Sequence, residues 1–95
     1  MLNELSALIE HRKKEPLEGS YTCKLFARGE DVILKKVGEE AMEVILAAKG
    51  QGRQRLVEET ADLLYHLLVM LAQYGISLAD VEDELRARHA AKSGG

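Results

Sequence analysis

Apolar residues recur along this chain at helical spacing, in blocks separated by short breaks. Leu2, Leu5, Leu8 and Ile9 predict an amphipathic helix over 2–14, with Arg12, Lys13 and Lys14 favouring its C-terminal end. Pro16 and Gly19 end the pattern. Residues 20–29 fit a short helix capped by Ser20 and closed by Gly29, or a strand that has no second strand to pair with. A long helix follows over 31–49 and stops at Gly50; Ile33, Leu34, Val37, Ala41, Val44, Ile45 and Ala48 form its predicted inward side. The short link 50–52 returns the chain antiparallel into a helix over 53–74 that stops at Gly75. Leu56, Leu63, Leu64, Leu67, Leu68 and Leu71 cover most of that helix, more than one neighbour can bury. Ser77 and Asp80 have the spacing of an N-terminal cap for a last helix to about 89, with Val81 and Leu85 inward. The expected fold is all-α: one domain over 1–91, an antiparallel bundle of four to five helices completed by dimerisation, and a flexible tail over 92–95.

Composition narrows the setting. Ninety-five residues suffice for one modest core, which a partner chain would extend. A net charge of −3 gives no general attraction to nucleic acid or to anionic membranes. The lone Cys23 excludes an internal disulfide, and Glu4 and Glu10 interrupt any signal-like apolar run, so a cytoplasmic location is expected. No apolar run reaches the ~20 residues of a membrane span.

The acidic residues carry the candidate chemistry. Glu40 and Glu43 share a face of the first long helix, and Glu59 and Asp62 share a face of the second. A single glutamate at such a place is ordinarily solvated surface. Here both pairs border the apolar side, at equal spacing, across a short connection. Packed antiparallel, the helices converge four carboxylates, which repel unless a cation lies among them. Oxygen ligands alone favour Mg²⁺ or Mn²⁺ over zinc or copper. A di-iron bundle is excluded, because it needs a His three residues after a Glu on two helices. His66 lies four residues after Asp62; a satisfied, half-buried role is the plainer reading, and a catalytic or substrate role the sharper one. His11 and His89 read as surface residues. Lys24, Arg28, Lys35 and Lys36 are solubilising charges or, beside an acidic cation site, phosphate ligands. No Walker loop is present, and Cys23 has no His partner nearby in sequence.

Glu39-Glu40, Glu43, a gap of fifteen residues, then Glu59 and Asp62 resemble the signature of the all-α, MazG-like nucleoside triphosphate pyrophosphohydrolases. A longer match runs through Ser20-Tyr21-Thr22, Lys24-Leu25, Gly29, Lys35 to Ala41, Glu43-Val44, Glu58-Glu59 and Asp62 to His66. It resembles the phosphoribosyl-ATP pyrophosphohydrolases, which act at the second step of histidine biosynthesis. The resemblance implies Mg²⁺-dependent hydrolysis of phosphoribosyl-ATP to phosphoribosyl-AMP and pyrophosphate by a homodimer or higher homo-oligomer. It implies metal ligation by Glu40, Glu43, Glu59 and Asp62, with Glu39 as the group that orients or deprotonates water. Tyr21, Lys24, Arg28, Lys36 and His66 are then the substrate-binding candidates. The cyclohydrolase domain fused to some relatives is not seen, so only the one step is expected. Two rivals remain at this stage: a house-cleaning hydrolase of noncanonical nucleotides, and a non-catalytic helical dimerisation module.

Overall fold

The computed structural model describes residues 1–92. The part of the expected tail over 93–95 lies outside them. Among the described residues the chain forms α1 (Leu2–Lys14), α2 (Tyr21–Arg28), α3 (Glu30–Gly50), α4 (Arg53–Gln73) and α5 (Leu78–Ala91). Residues 20–29 settle as a helix. The Ser20 hydroxyl accepts the Cys23 N–H, and Gly29 closes the helix at φ 98°. The helix over 53–74 ends one residue early, with Tyr74 as its cap, and α5 runs two residues past His89. Ser77 and Asp80 form a reciprocal capping box.

Packing of α3 on α4 is the most extensive contact in the chain. Gly52, at φ 87°, caps α4 and turns the chain in a conformation that side chains rarely adopt. The far ends of the pair are joined by the Tyr74 hydroxyl, which donates to Glu30 at 2.7 Å. Ile9, Leu25, Ile33, Leu68, Val69 and Ala72 form the core, so α1, α2 and α3 each anchor on α4. The last turn of α4 contains no basic residue of its own. Lys13 of α1 supplies one, donating to the Ala72 and Gln73 carbonyls at 2.7 and 3.2 Å.

The expected inward faces are only partly inward. On α3, Ile33 and Ala47 are buried, while Leu34, Ile45 and Ala48 are exposed, Ile45 at 56%. Its neighbours α4 and α2 cover a narrower stripe than the apolar side of α3 offers. On α5, Val81 and Leu85 point outward, Leu85 at 59% exposed, and it is Leu78 that packs on the core. The helix leaves α4 at 103°, so only its first turn meets the other helices' core. Leu2 and Leu8 of α1 and Leu64 of α4 are also exposed. The radius of gyration is 15.1 Å, against about 12 Å for a compact chain of this length. No single helix is long and apolar enough to cross a membrane.

Leu25 is the buried anchor of the eight-residue α2. Leu25→Ala is expected to cost about 2–5 kcal/mol. Urea unfolding followed by circular dichroism measures it. A loss below about 1 kcal/mol would mean that the site collapses freely and that α2 is not held by this side chain.

Candidate metal centre and its aromatic wall

The antiparallel return brings the middle of α3 against the first half of α4. Carboxylate oxygens of Glu40, Glu59 and Asp62 lie within 4.8 Å of one another. They line an open cavity of about 520 Å³ with Lys36, Glu39, Met42 and Glu43. Glu59 is only 6% exposed, Glu40 is half-buried, and Asp62 faces solvent. Glu43 lines the same cavity, but its carboxylate lies outside the close group of three.

Two cations balance part of this charge. Lys36 Nζ lies 3.4 Å from Glu40 and 3.8 Å from Glu39. Burial lowers the affinity of Lys36 for its proton. The hydrogen bond to Glu40 and the charges of Tyr21, Glu40 and Glu39 outweigh that, and the pKa is raised. Arg55 meets Glu59 at 2.6 Å and Glu58 at 3.1 Å. Its pKa is raised by the Glu58 hydrogen bond and the Glu59 charge, with Glu43 adding to it. Asp62 has no ion-pair partner among the described residues. Sequence reasoning missed Arg55, although its four-residue spacing from Glu59 is a visible signal.

Hydrogen bonds run from this centre into α2. His66 is 6% exposed. Its Nδ1 lies 2.7 Å from the Asp62 carbonyl, and its Nε2 lies 3.0 Å from the Tyr21 hydroxyl. Tyr65 bonds Thr22 through its hydroxyl, and burial pushes its phenol pKa up. The rings of Tyr21, Tyr65 and His66 pack on one another at centroid distances of 5.1–6.1 Å. Tyr65 and Thr22 were therefore part of the site's frame without a role read for them in sequence. Lys24, Arg28 and Lys35 are exposed, outside the cavity lining. His11 and His89 are exposed, as expected. Cys23 is a free thiol that bonds the Leu17 N–H and the Arg12 carbonyl.

An all-α bundle with five carboxylates, three of them clustered, and an ammonium in one cavity suits a cation and a phosphate together. The donor set is oxygen only, which fits a hard divalent ion. The family model for phosphoribosyl-ATP pyrophosphohydrolase matches residues 2–89. A phosphoribosyl-ATP pyrophosphatase of Metallosphaera sedula is 56% identical over 88 residues, 93% of this chain and 95% of that protein. One from Listeria welshimeri is 57% identical over 88 residues, 93% of this chain and 84% of that protein. The histidine biosynthesis bifunctional protein HisIE of Oceanobacillus iheyensis is 49% identical over 94 residues, which span 99% of this chain but 44% of that relative. The chain belongs to the phosphoribosyl-ATP pyrophosphohydrolase family.

Arg55 would oppose a divalent cation at Glu59, by charge and by occupying an oxygen. Arg55→Gln is therefore expected to tighten Mg²⁺ binding severalfold in calorimetry of the substrate-free protein. Weaker binding in that variant would instead mean that Arg55 serves to hold Glu59 in place.

Proposed function

We propose that this chain hydrolyses phosphoribosyl-ATP to phosphoribosyl-AMP and pyrophosphate, with Mg²⁺ or Mn²⁺ as the metal. The observation that carries the reading is the meeting of Glu40, Glu59 and Asp62 within 4.8 Å, in a chain matched by the family model over 2–89. Relatives that bear the pyrophosphatase name support the substrate. Residues 1–91 act as one unit that performs this step.

Glu40, Glu59 and Asp62 hold the cation, and Glu43 joins them from the same cavity wall. A divalent ion there offsets phosphate charge, including that gained by the departing pyrophosphate. Lys36 binds a phosphate oxygen, its raised pKa keeping it an ammonium across the neutral range. Glu39, half-exposed beside Lys36, orients a water and takes its proton. The water oxygen bonds to phosphorus at the α–β linkage, the bridging P–O bond breaks, and the electron pair leaves with pyrophosphate. Tyr21, Lys24 and Arg28 of α2 lie toward the phosphoribosyl group or the base.

The working form is a homodimer or larger. Leu34, Met42, Ile45 and Leu46 of α3, with Val57 and Leu64 of α4, expose apolar surface on the two helices that build the cavity. The elongated shape supports the same reading, and light scattering tests it: a monomer at working concentration would refute it.

Turnover of phosphoribosyl-ATP with and without Mg²⁺, against a panel of ordinary and modified nucleoside triphosphates, tests the activity. Asp62→Asn is expected to lower kcat at least a hundredfold with unchanged helix content. Near-normal turnover at saturating Mg²⁺ removes Asp62 from the ligand set. Stability gives a second check. A cation at ~100 times its Kd adds about 2.7 kcal/mol, a Tm rise on the order of 10 °C in so small a domain. The quadruple variant Glu40→Gln, Glu43→Gln, Glu59→Gln, Asp62→Asn is expected to lose this response. Sodium chloride at equal ionic strength is the control. If the salt reproduces the whole rise, these acids are not a metal site.

A further inference from the structure

The cavity between α3 and α4 is lined almost wholly by charge. Five of its lining residues are carboxylates and one is Lys36; among the described residues Met42 alone is apolar there. Met42 is 54% exposed. Glu39 lies three residues before it and Leu46 four after, so on the helix surface Met42 is a neighbour to both. It stands at the seam where the acidic cavity meets the exposed apolar surface of α3. Lys36 lies on the other side of Glu40, six residues or about 9 Å from Met42 along the helix axis.

The parts of a nucleotide divide between these two ends. Phosphates carry charge, and a cation among the clustered acids and the Lys36 ammonium answer it. Sugar hydroxyls seek hydrogen bonds, which a thioether offers only weakly. A purine has a broad ring face that gains by leaving water for apolar carbon and sulfur. Methionine suits such a face, because its side chain is unbranched, polarisable and adaptable. The carboxylates beside it offer no such contact. A cavity of about 520 Å³ is in the range of pockets that take a whole small molecule rather than an ion.

We propose that Met42 is the residue on which the purine base of the nucleotide rests, its thioether against one ring face. This rests on the phosphoribosyl-ATP reading above and deepens it. Helix α3 then holds both ends of the nucleotide, phosphates at Lys36 and base at Met42, and α2 is left with the phosphoribosyl group. The contact is made alike in the bound substrate and in the transition state, so it lowers KM and leaves kcat as it is.

Two measurements test it. The first is NMR of the wild-type protein in Mg²⁺, with carbon-13 at the methionine methyl groups. The Met42 signal is told from those of Met1 and Met70 by its loss in Met42→Leu. ATP and inorganic tripolyphosphate carry the same phosphate chain and differ by the adenosine. ATP is expected to move the Met42 methyl upfield, through the ring current of the purine face, and tripolyphosphate to leave it nearly in place. No shift with ATP, or equal shifts with both, overturns the proposal. The second is turnover of phosphoribosyl-ATP. Met42→Ser is expected to raise KM roughly 2- to 10-fold, the worth of one sulfur–aromatic contact, at unchanged kcat and unchanged mass by light scattering. Met42→Leu, which keeps an apolar side chain, is expected to raise it less. An unchanged KM in Met42→Ser, a loss that falls on kcat, or a drop in mass overturns the proposal; the last assigns Met42 to packing between copies of the chain. If Met42→Ser does not fold, the NMR comparison decides. If wild type does not turn over phosphoribosyl-ATP at all, the functional reading fails, while the NMR comparison still decides whether Met42 meets a base.

Discussion

The antiparallel packing of α3 on α4 sets every distance in the cavity. Gly52 makes the return tight, Tyr74 and Glu30 join the far ends, and the register between them puts Glu40 beside Glu59 and Asp62. The same packing forces like charges together, which a helix pair would ordinarily avoid. Hydrophobic burial of Leu68, Val69 and Ala72 just along α4 holds them there. The repulsion is relieved in place by Lys36 and Arg55, both one helical turn from the acid they meet. The two neutralising cations sit on the same helices as the acids, so the cavity's charge balance is set before any second chain arrives.

Much of this was legible in the sequence. Gly29, Gly52 and Gly75 punctuate helices because the backbone there takes positive φ. Ser20, Ser77 and Asp80 name their helix starts through bonds that their side chains make within three residues. The acids fell on one cavity because a three-residue spacing and a two-residue link leave few other outcomes. What periodicity could not give was which part of a wide apolar side is covered. Leu34 and Ile45 are as hydrophobic as Ile33, yet only Ile33 meets α4 and the core. Val81 and Leu85 failed as core residues because α5 turns away from the bundle, and the direction a helix leaves a turn is not written in its own pattern. His66 shows the same limit. Its spacing from Asp62 was visible, but its second partner is Tyr21, 45 residues away.

The wall formed by Tyr21, Thr22, Tyr65 and His66 couples a short helix to a long one. An eight-residue helix is marginal alone in water. Here α2 is fixed by Leu25 in the core and by two hydroxyl contacts to α4. The placement of α2 is thus borrowed from α4, the same element that supplies two of the three clustered acids.

Lys13 has a consequence for how the chain is made. It belongs to the first helix, yet the carbonyls that it caps are those of Ala72 and Gln73, 59 and 60 positions later. On a ribosome α1 emerges first and must wait for the end of α4 before its partner exists. The α3–α4 hairpin, closed by a two-residue link, is complete at that same moment, and its contacts cost little loop entropy. The N-terminal helix therefore docks on α4 only once that hairpin is complete, and α5, which packs on α1 and buries no residue, follows it.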